Sequence, residues 1–253
     1  MAGTTAEIAA NGPEGETSVK DGALTTELFP VQGALAQVSF RRSGKARKIS
    51  LRIDAAQGGI VITLPMRASR RAGISLLQTH EAWVAEKLAA LPVALPFVPG
   101  GMVPVHGVAH EIVPVPNGRG GAWIEEQKIL VTGEREFLAR RVTDCLKRLA
   151  RQRLTALAAE KGHLAGLTPK CVRVKDTRTR WGSCAPDGTL AFCWRLICAP
   201  EFVQDYVVGH EVAHLRHMNH GKHFWALTEE LTPHRATASA WLGRHGQALL
   251  RIG

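Results

Sequence analysis

Five consecutive residues, His210-Glu211-Val212-Ala213-His214, have types and a spacing that can do chemistry together. Histidines four residues apart on a helix share one face about a turn from each other, so two imidazoles can hold one cation with a carboxylate beside them. Zinc bound by neutral imidazoles lowers the pKa of a bound water, and an adjacent carboxylate can accept that water's proton as it attacks a carbonyl. The spacing therefore points to one zinc per chain, with His210 and His214 as ligands and Glu211 as general base in a hydrolysis. The bland alternative is a surface helix that happens to carry two histidines, and three features weigh against it. Apolar residues around the motif allow a buried helix, with Phe202, Val208, Val212 and Leu215 expected inward and Val203, Val207, His210 and His214 on a separate row facing the site. Five of the eleven histidines, His210, His214, His217, His220 and His223, fall within fourteen positions. Beyond the motif, His220-Gly221 precedes Phe224 and Trp225, as expected if the chain turns and a new helix packs back.

The third ligand has several candidates. On an unbroken helix His217 would continue the row of His210 and His214, with about 10.5 Å along the axis between the outer two, and three donors in a line converge poorly on one ion. His220 follows His214 by six residues, the spacing of H-E-x-x-H-x-x-G-x-x-H sites, and Asn219-His220-Gly221 tolerates the left-handed backbone that ends a helix. His220 is thus the expected third ligand, with Glu229 or Glu230 on the following helix as the alternative. His217 stands where a metzincin has glycine, and no methionine follows Met218, which disfavours that clan.

Around the motif, the chain must supply elements that position it. It has 253 residues, 45% of them hydrophobic, enough for one substantial core or two modest ones. Residues 1–30 are polar, lack periodicity and are expected to form a disordered leader rather than a signal peptide. Residues 31–130 read as a β-rich region. Alternation marks strands at Leu35–Phe40, Ile49–Asp54 and Ile60–Leu64, Ser69 caps one helix running to Pro92, and short strands follow among the prolines and glycines from Pro96 to Gly121. Residues 131–253 read as the catalytic region: a long amphipathic helix through Leu138, Val142, Leu146, Leu149, Leu154 and Leu157, a strand at Cys171–Lys175, a hairpin over Trp181–Leu196 turning at Pro186-Asp187-Gly188, and the metal helix opening at Pro200. The class expected is α+β.

Five cysteines without a C-x-x-C pair speak against a disulfide framework or a zinc ribbon and for a reducing cytoplasm; Cys184 and Cys193 are expected to face each other, reduced, across the hairpin. No run is long and apolar enough to cross a membrane, so no membrane partner is expected. The net charge of +10 makes nucleic acid a conceivable partner, through clusters at Arg41, Arg42, Lys45, Arg47, Lys48 and Arg52, at Arg67, Arg70 and Arg71, and at Arg173, Lys175, Arg178 and Arg180. Solvated faces are the plainer reading of these clusters.

Arg180-Trp181-Gly182-Ser183-Cys184, Trp194-Arg195-Leu196, Ala199-Pro200, Tyr206-Val207-Val208, the H-E-x-x-H run, Asn219-His220 and Phe224-Trp225 together resemble the YgjP-like metallopeptidase family. The resemblance implies a zincin-like fold, zinc ligands His210, His214 and His220, Glu211 as general base, a peptide or protein substrate, and distant kinship with SprT-type metalloproteases, some of which act on proteins crosslinked to DNA. This chain lacks the cysteine-pair zinc ribbon that SprT-type proteins can carry. Two other classes stay open on the residues alone: a basic nucleic-acid-binding protein with a structural metal, and a hydrolase of nonpeptide amides or esters. Tyr206 could approach the site as a hydrogen-bond donor or be a buried ring, Arg178 and Arg180 could stabilise an oxyanion or bind a substrate carboxylate although a solvated strand face is the plainer reading, and Trp181, Trp194 and Trp225 read as packing.

Overall fold

The computed structural model describes residues 6–8, 24–115, 117–118 and 120–253, which fold as an α+β protein in two compact units divided after Pro92. In the first unit, strands β1 (Ala6–Ile8), β2 (Leu24–Val31), β3 (Ala34–Ser43), β4 (Ile49–Asp54) and β5 (Gly59–Pro65) form a sheet of order β1-β4-β5-β3-β2. Only the β3/β5 pair is parallel. Alternation works as its period of two requires: Ala36, Val38 and Phe40 of β3 with Ile60, Ile62 and Leu64 of β5 are buried on one face. Two helices, α1 (Arg70–Thr79) and α2 (Glu81–Ala89), cover that face through Leu76, Leu77 and Val84. Ser69 caps α1 by accepting from the Ala72 N–H, as its position before an apolar period predicts. The single helix expected up to Pro92 is broken at His80, whose ψ of 19° leaves the helical range. The expected leader also needs correction: Leu24–Val31 is a full-length partner of β3, because its residues pair in unbroken register from Leu24↔Arg41 to Val31↔Ala34. Most of the remaining leader lies outside the described residues.

The second unit opens on strands β6 (Met102–Val105), β7 (Val108–Pro114), β8 (Ala122–Glu125) and β9 (Lys128–Val131), in sheet order β6-β7-β9-β8. This repeats the first unit's β2-β3-β5-β4, with antiparallel, parallel and antiparallel pairs in the same sequence. Pro30-Val31-Gln32-Gly33 matches Pro104-Val105-His106-Gly107, and both turns carry left-handed backbone at their two central residues, as two-residue hairpins require. Val38 and Ile112, each five residues after the turn glycine, are fully buried and pair with the buried Ile60 and Ile129. The expected boundary near residue 130 thus falls at 92. Val103, Val105, Ile112, Ile129 and Val131 share one core with the long helix that follows, so the second sheet belongs to the catalytic unit.

That helix, α3 (Leu138–Ala165), buries Val142, Cys145, Leu146, Ala150, Leu154, Leu157 and Ala158 at helical spacing and ends on Gly166 at φ 63°, a left-handed cap. Strands β10 (Cys171–Lys175), β11 (Gly182–Cys184) and β12 (Thr189–Cys193) form a sheet of order β10-β12-β11, with β10/β12 parallel and β11/β12 antiparallel. The hairpin and its Pro186-Asp187-Gly188 turn are where the sequence places them. Its second strand stops at Cys193, and Trp194–Cys198 is a 3-10 turn. Cys184 pairs with Leu190, so it does not oppose Cys193, and all five cysteines are unpaired thiols.

Candidate metal centre and active site

The metal helix α4 (Glu201–Ala213) is central rather than amphipathic. Val203, Gln204, Tyr206, Val207, Val208, Gly209, Glu211, Val212 and Ala213 are all buried, so the two rows expected from periodicity merge: Val203 and Val207 are core residues as much as Val208 and Val212. Pro200 sits one position before the helix, with ψ 152°, and Glu201 begins it near the positive end of the dipole. Lys161 of α3, itself buried, holds the middle of α4 through Asp205 at 2.5 Å and donates to the Leu231 carbonyl at 2.7 Å. At the start of α4, His106 and Gln204 pair at 3.2 Å, and a Cβ at Gly107 would stand 3.1 Å from Pro200 Cγ. The β6/β7 hairpin turn is thereby fixed against the helix.

The helix ends within the motif, at Ala213. His214 takes the capping position, and Leu215, Arg216 and His217 donate back to Val212 and Ala213 carbonyls. The reversal therefore precedes Asn219, and none of Asn219, His220 or Gly221 adopts the left-handed backbone expected there; Gly221 has φ −80°. Helix α5 (Lys222–Leu231) then packs back through Phe224 and Leu227, and α6 (Arg235–Leu250) follows.

This turn brings His220 in from the side. One donor atom from each of His210, His214 and His220 lies within 4.8 Å of the others, the one such group of three among the described residues. Nε2 of His220 and Nε2 of His210 are 3.1 Å apart; two nitrogens bound at ~2.05 Å around a tetrahedral ion stand about 3.3 Å apart. The Nδ1 of His214 is 3.0 Å from the His217 carbonyl, which takes its N–H and leaves Nε2 as the free donor. Burial lowers the His210 pKa to about 4, helped by the nearby His214, His220 and Arg235, and burial likewise lowers that of His214. Neutral imidazoles are the form a metal binds, so the residues fit a metal ion. Phe224, fully buried, floors the cluster with its ring centroid 4.9, 4.5 and 4.7 Å from those of His210, His214 and His220.

Glu211 points from the same helix into a tight slot. It is 7% exposed, and burial pushes its carboxyl up to about 7 against the opposing charge of Arg180. Its side chain presses on the backbone of Gly182 in the edge strand β11, where a Cβ would stand 2.5 Å from both Cγ and Oε1. Sequence reasoning missed this role for Gly182, although a glycine inside a strand is a signal of close approach. Trp225, read as packing, does pack against the core, and its indole also stacks on His220 at 5.5 Å and carries the Arg235 guanidinium on its ring at 3.7 Å. The competing candidates stay apart: His217 and His223 stack on each other, and Glu229 pairs with Arg235. Tyr206 meets His210 edge-on at 5.8 Å and, with Trp225, walls an open cavity of about 640 Å³ that also includes Thr232, Arg235 and Ser239.

Two imidazoles at the end of α4, a third from the turn beyond it and a buried carboxylate beside them fit a metal-dependent hydrolase site. The domain model of the YgjP-like metallopeptidases matches residues 47–245, and the chain belongs to that family. The crystal structure of the metallopeptidase zymogen of Pyrococcus abyssi abylysin is similar to part of it, at 18% identity, with 36% of this chain and 93% of that one covered and a TM-score of 0.33. No curated protein matches the sequence. No helix among the described residues is long and apolar enough to cross a membrane.

Proposed function

We propose that this metallopeptidase is a zinc enzyme in which His210, His214 and His220 hold the ion and Glu211 is the general base for peptide-bond hydrolysis. The observation that carries the reading is the division of labour at the site: three imidazoles gather, and the adjacent carboxylate stays outside the group, buried against Gly182. Bound there, zinc supplies a lowered pKa for water and polarises the scissile carbonyl. Glu211 takes the proton from the attacking water and returns it to the leaving amine, a task suited to a carboxyl whose pKa burial raises to about 7. A structural site is usually closed by a fourth protein ligand, and among the described residues no fourth His, Cys, Asp or Glu joins the three.

Among the described residues strand β11 pairs only with β12, so its other edge can take an extended peptide by strand addition, next to Glu211. The cavity beyond Tyr206 and Trp225 offers room for a substrate side chain. Five unpaired thiols fit a reducing cytoplasm. The test is Glu211→Gln assayed for metal content and for cleavage of a broad peptide library. One zinc per chain with turnover lowered by roughly two to four orders of magnitude is the expected result; full turnover in the metal-replete variant removes Glu211 from the mechanism.

A further inference from the structure

The first unit carries a concentration of positive charge that the peptidase chemistry does not use. Because β3 and β5 are parallel, both leave the sheet at the same end, and β4, antiparallel to β5, begins there. The 44–48 loop from β3 to β4 therefore crosses the exit of β5, whose continuation, Met66–Ser69, leads into α1. Lys45, Arg47, Lys48, Arg67 and Arg71 are all exposed on these two adjoining segments. Arg42 ties them together: its Nη1 donates to the carbonyls of Met66 at 2.8 Å and Ala68 at 2.9 Å. On the sheet face away from the core, exposed Arg41 and Arg52 extend the charge among Ser39, Ser50 and Thr63.

Among the described residues from 24 to 92, no carboxylate pairs with Lys45, Arg47, Arg67 or Arg71. The acidic residues of the described part of the unit are Glu7, which stands opposite Ser50 where β1 pairs with β4, and Glu27, Asp54, Glu81 and Glu86. Glu27 pairs with Arg70, Glu81 accepts from the Gln32 N–H, Glu86 meets Lys87, and Asp54 accepts from the Ala56 and Gln57 N–H groups at the opposite end of β4. The first turn of α1 carries Arg70 and Arg71 with no acidic residue, the reverse of the distribution that a helix start favours. Glu27 offsets Arg70, which leaves Arg71 as a cation at a helix start, where an anion is favoured.

We infer that this end of the first unit is a docking surface for the phosphate backbone of duplex nucleic acid, read without regard to sequence. Arginine predominates, and its forked guanidinium suits phosphate oxygens. The basic segments lie over β4, β5 and β3, a width of two strand spacings or about 10 Å, between the ~6 Å minor and ~12 Å major groove widths across which phosphate rows face each other. Single strands need aromatic platforms for unstacked bases, and the unit's Phe29, Phe40 and Trp83 lie outside these segments. A lipid surface needs apolar side chains to insert, and Met66 is the one exposed large apolar residue there.

The experiment is fluorescence anisotropy of the full chain with a labelled duplex, the corresponding single strand and, by pelleting, vesicles containing phosphatidylserine. About four phosphate contacts predict that duplex affinity falls on the order of 10²-fold between 50 and 200 mM salt. Lys45→Glu/Arg47→Glu/Arg67→Glu/Arg71→Glu should weaken duplex binding at least ~10-fold at fixed salt while leaving melting temperature, metal content and peptide cleavage unchanged. Arg47→Lys/Arg67→Lys/Arg71→Lys should keep binding within a few fold, and Arg47→Gln/Arg67→Gln serves if the fourfold reversal does not fold. Equal duplex binding by wild type and the charge-removed variants overturns the inference, as does charge-dependent binding confined to the vesicles or to the single strand. Cleavage is read separately, so failure of the peptidase mechanism leaves this test intact.

Discussion

Adding one methyl group at Gly182 should disable the general base without touching the metal. A Cβ there would lie 2.5 Å from Glu211 Cγ and Oε1 and 2.8 Å from Cδ. Ordinary contact begins near 3.4 Å, so the carboxylate must retreat by about 0.9 Å. Gly182 lies outside the positive-φ positions, so its backbone accepts alanine and the effect is confined to the slot. A misplacement of about 1 Å at a catalytic group costs on the order of 10²-fold in rate, equivalent to ~2.7 kcal/mol of barrier at 1.36 kcal/mol per decade. The local crowding should lower stability by roughly 1–3 kcal/mol. The assay is kcat/KM on a cleaved peptide, with metal content and urea unfolding measured on the same preparations. A double-mutant cycle with Glu211→Gln separates positioning from general damage: if Gly182 acts through Glu211, the double variant is no slower than Glu211→Gln alone. Unchanged kcat/KM in Gly182→Ala, or losses that multiply in the double variant, would refute the reasoning.

His220→Ala should lose metal as completely as His214→Ala, whereas His217→Ala, His223→Ala, Glu229→Ala and Glu230→Ala keep it; normal metal in His220→Ala by elemental analysis defeats the assignment. A chelator should inactivate the enzyme and added zinc restore it, and full activity in stripped protein would contradict metal dependence. Lys161→Met strands Asp205 beside α4, where the pair now sits at 2.5 Å, and should cost about 3–5 kcal/mol in urea unfolding. In a metal-free Glu211→Gln variant, which removes the opposing proton uptake of the raised Glu211 carboxyl, the chain should lose thermal stability as pH falls from 6.5 toward 4. His210 has its folded-state pKa lowered to about 4, so the unfolded chain binds the proton first in that window. A melting temperature that rises on acidification from 6.5 toward 4 would count against the buried neutral imidazole.

Much of the site was legible in the chain itself, because its signals are local. Four-residue spacing puts His210 and His214 on one helical face wherever that helix lies, and Ser69 and Pro186-Asp187-Gly188 act through backbone chemistry within a few residues of themselves. The six-residue gap to His220 limited the third ligand to a few candidates. Tertiary structure decided the rest through contacts between distant segments. The helix stopped at Ala213, earlier than Asn219-His220-Gly221 suggested, and the turn after it set where His220 stands. Periodicity could not distinguish an amphipathic α4 from a central one, because being packed from several sides is a property of neighbours rather than of spacing. Gly182 acquired its meaning only when β11 was laid against α4, twenty-nine positions before Glu211. The parallel β3/β5 pair likewise brought two separate basic runs to one end of a sheet. Sequence thus determined which groups are available and their local backbone, and the packing of remote segments determined which of those groups meet.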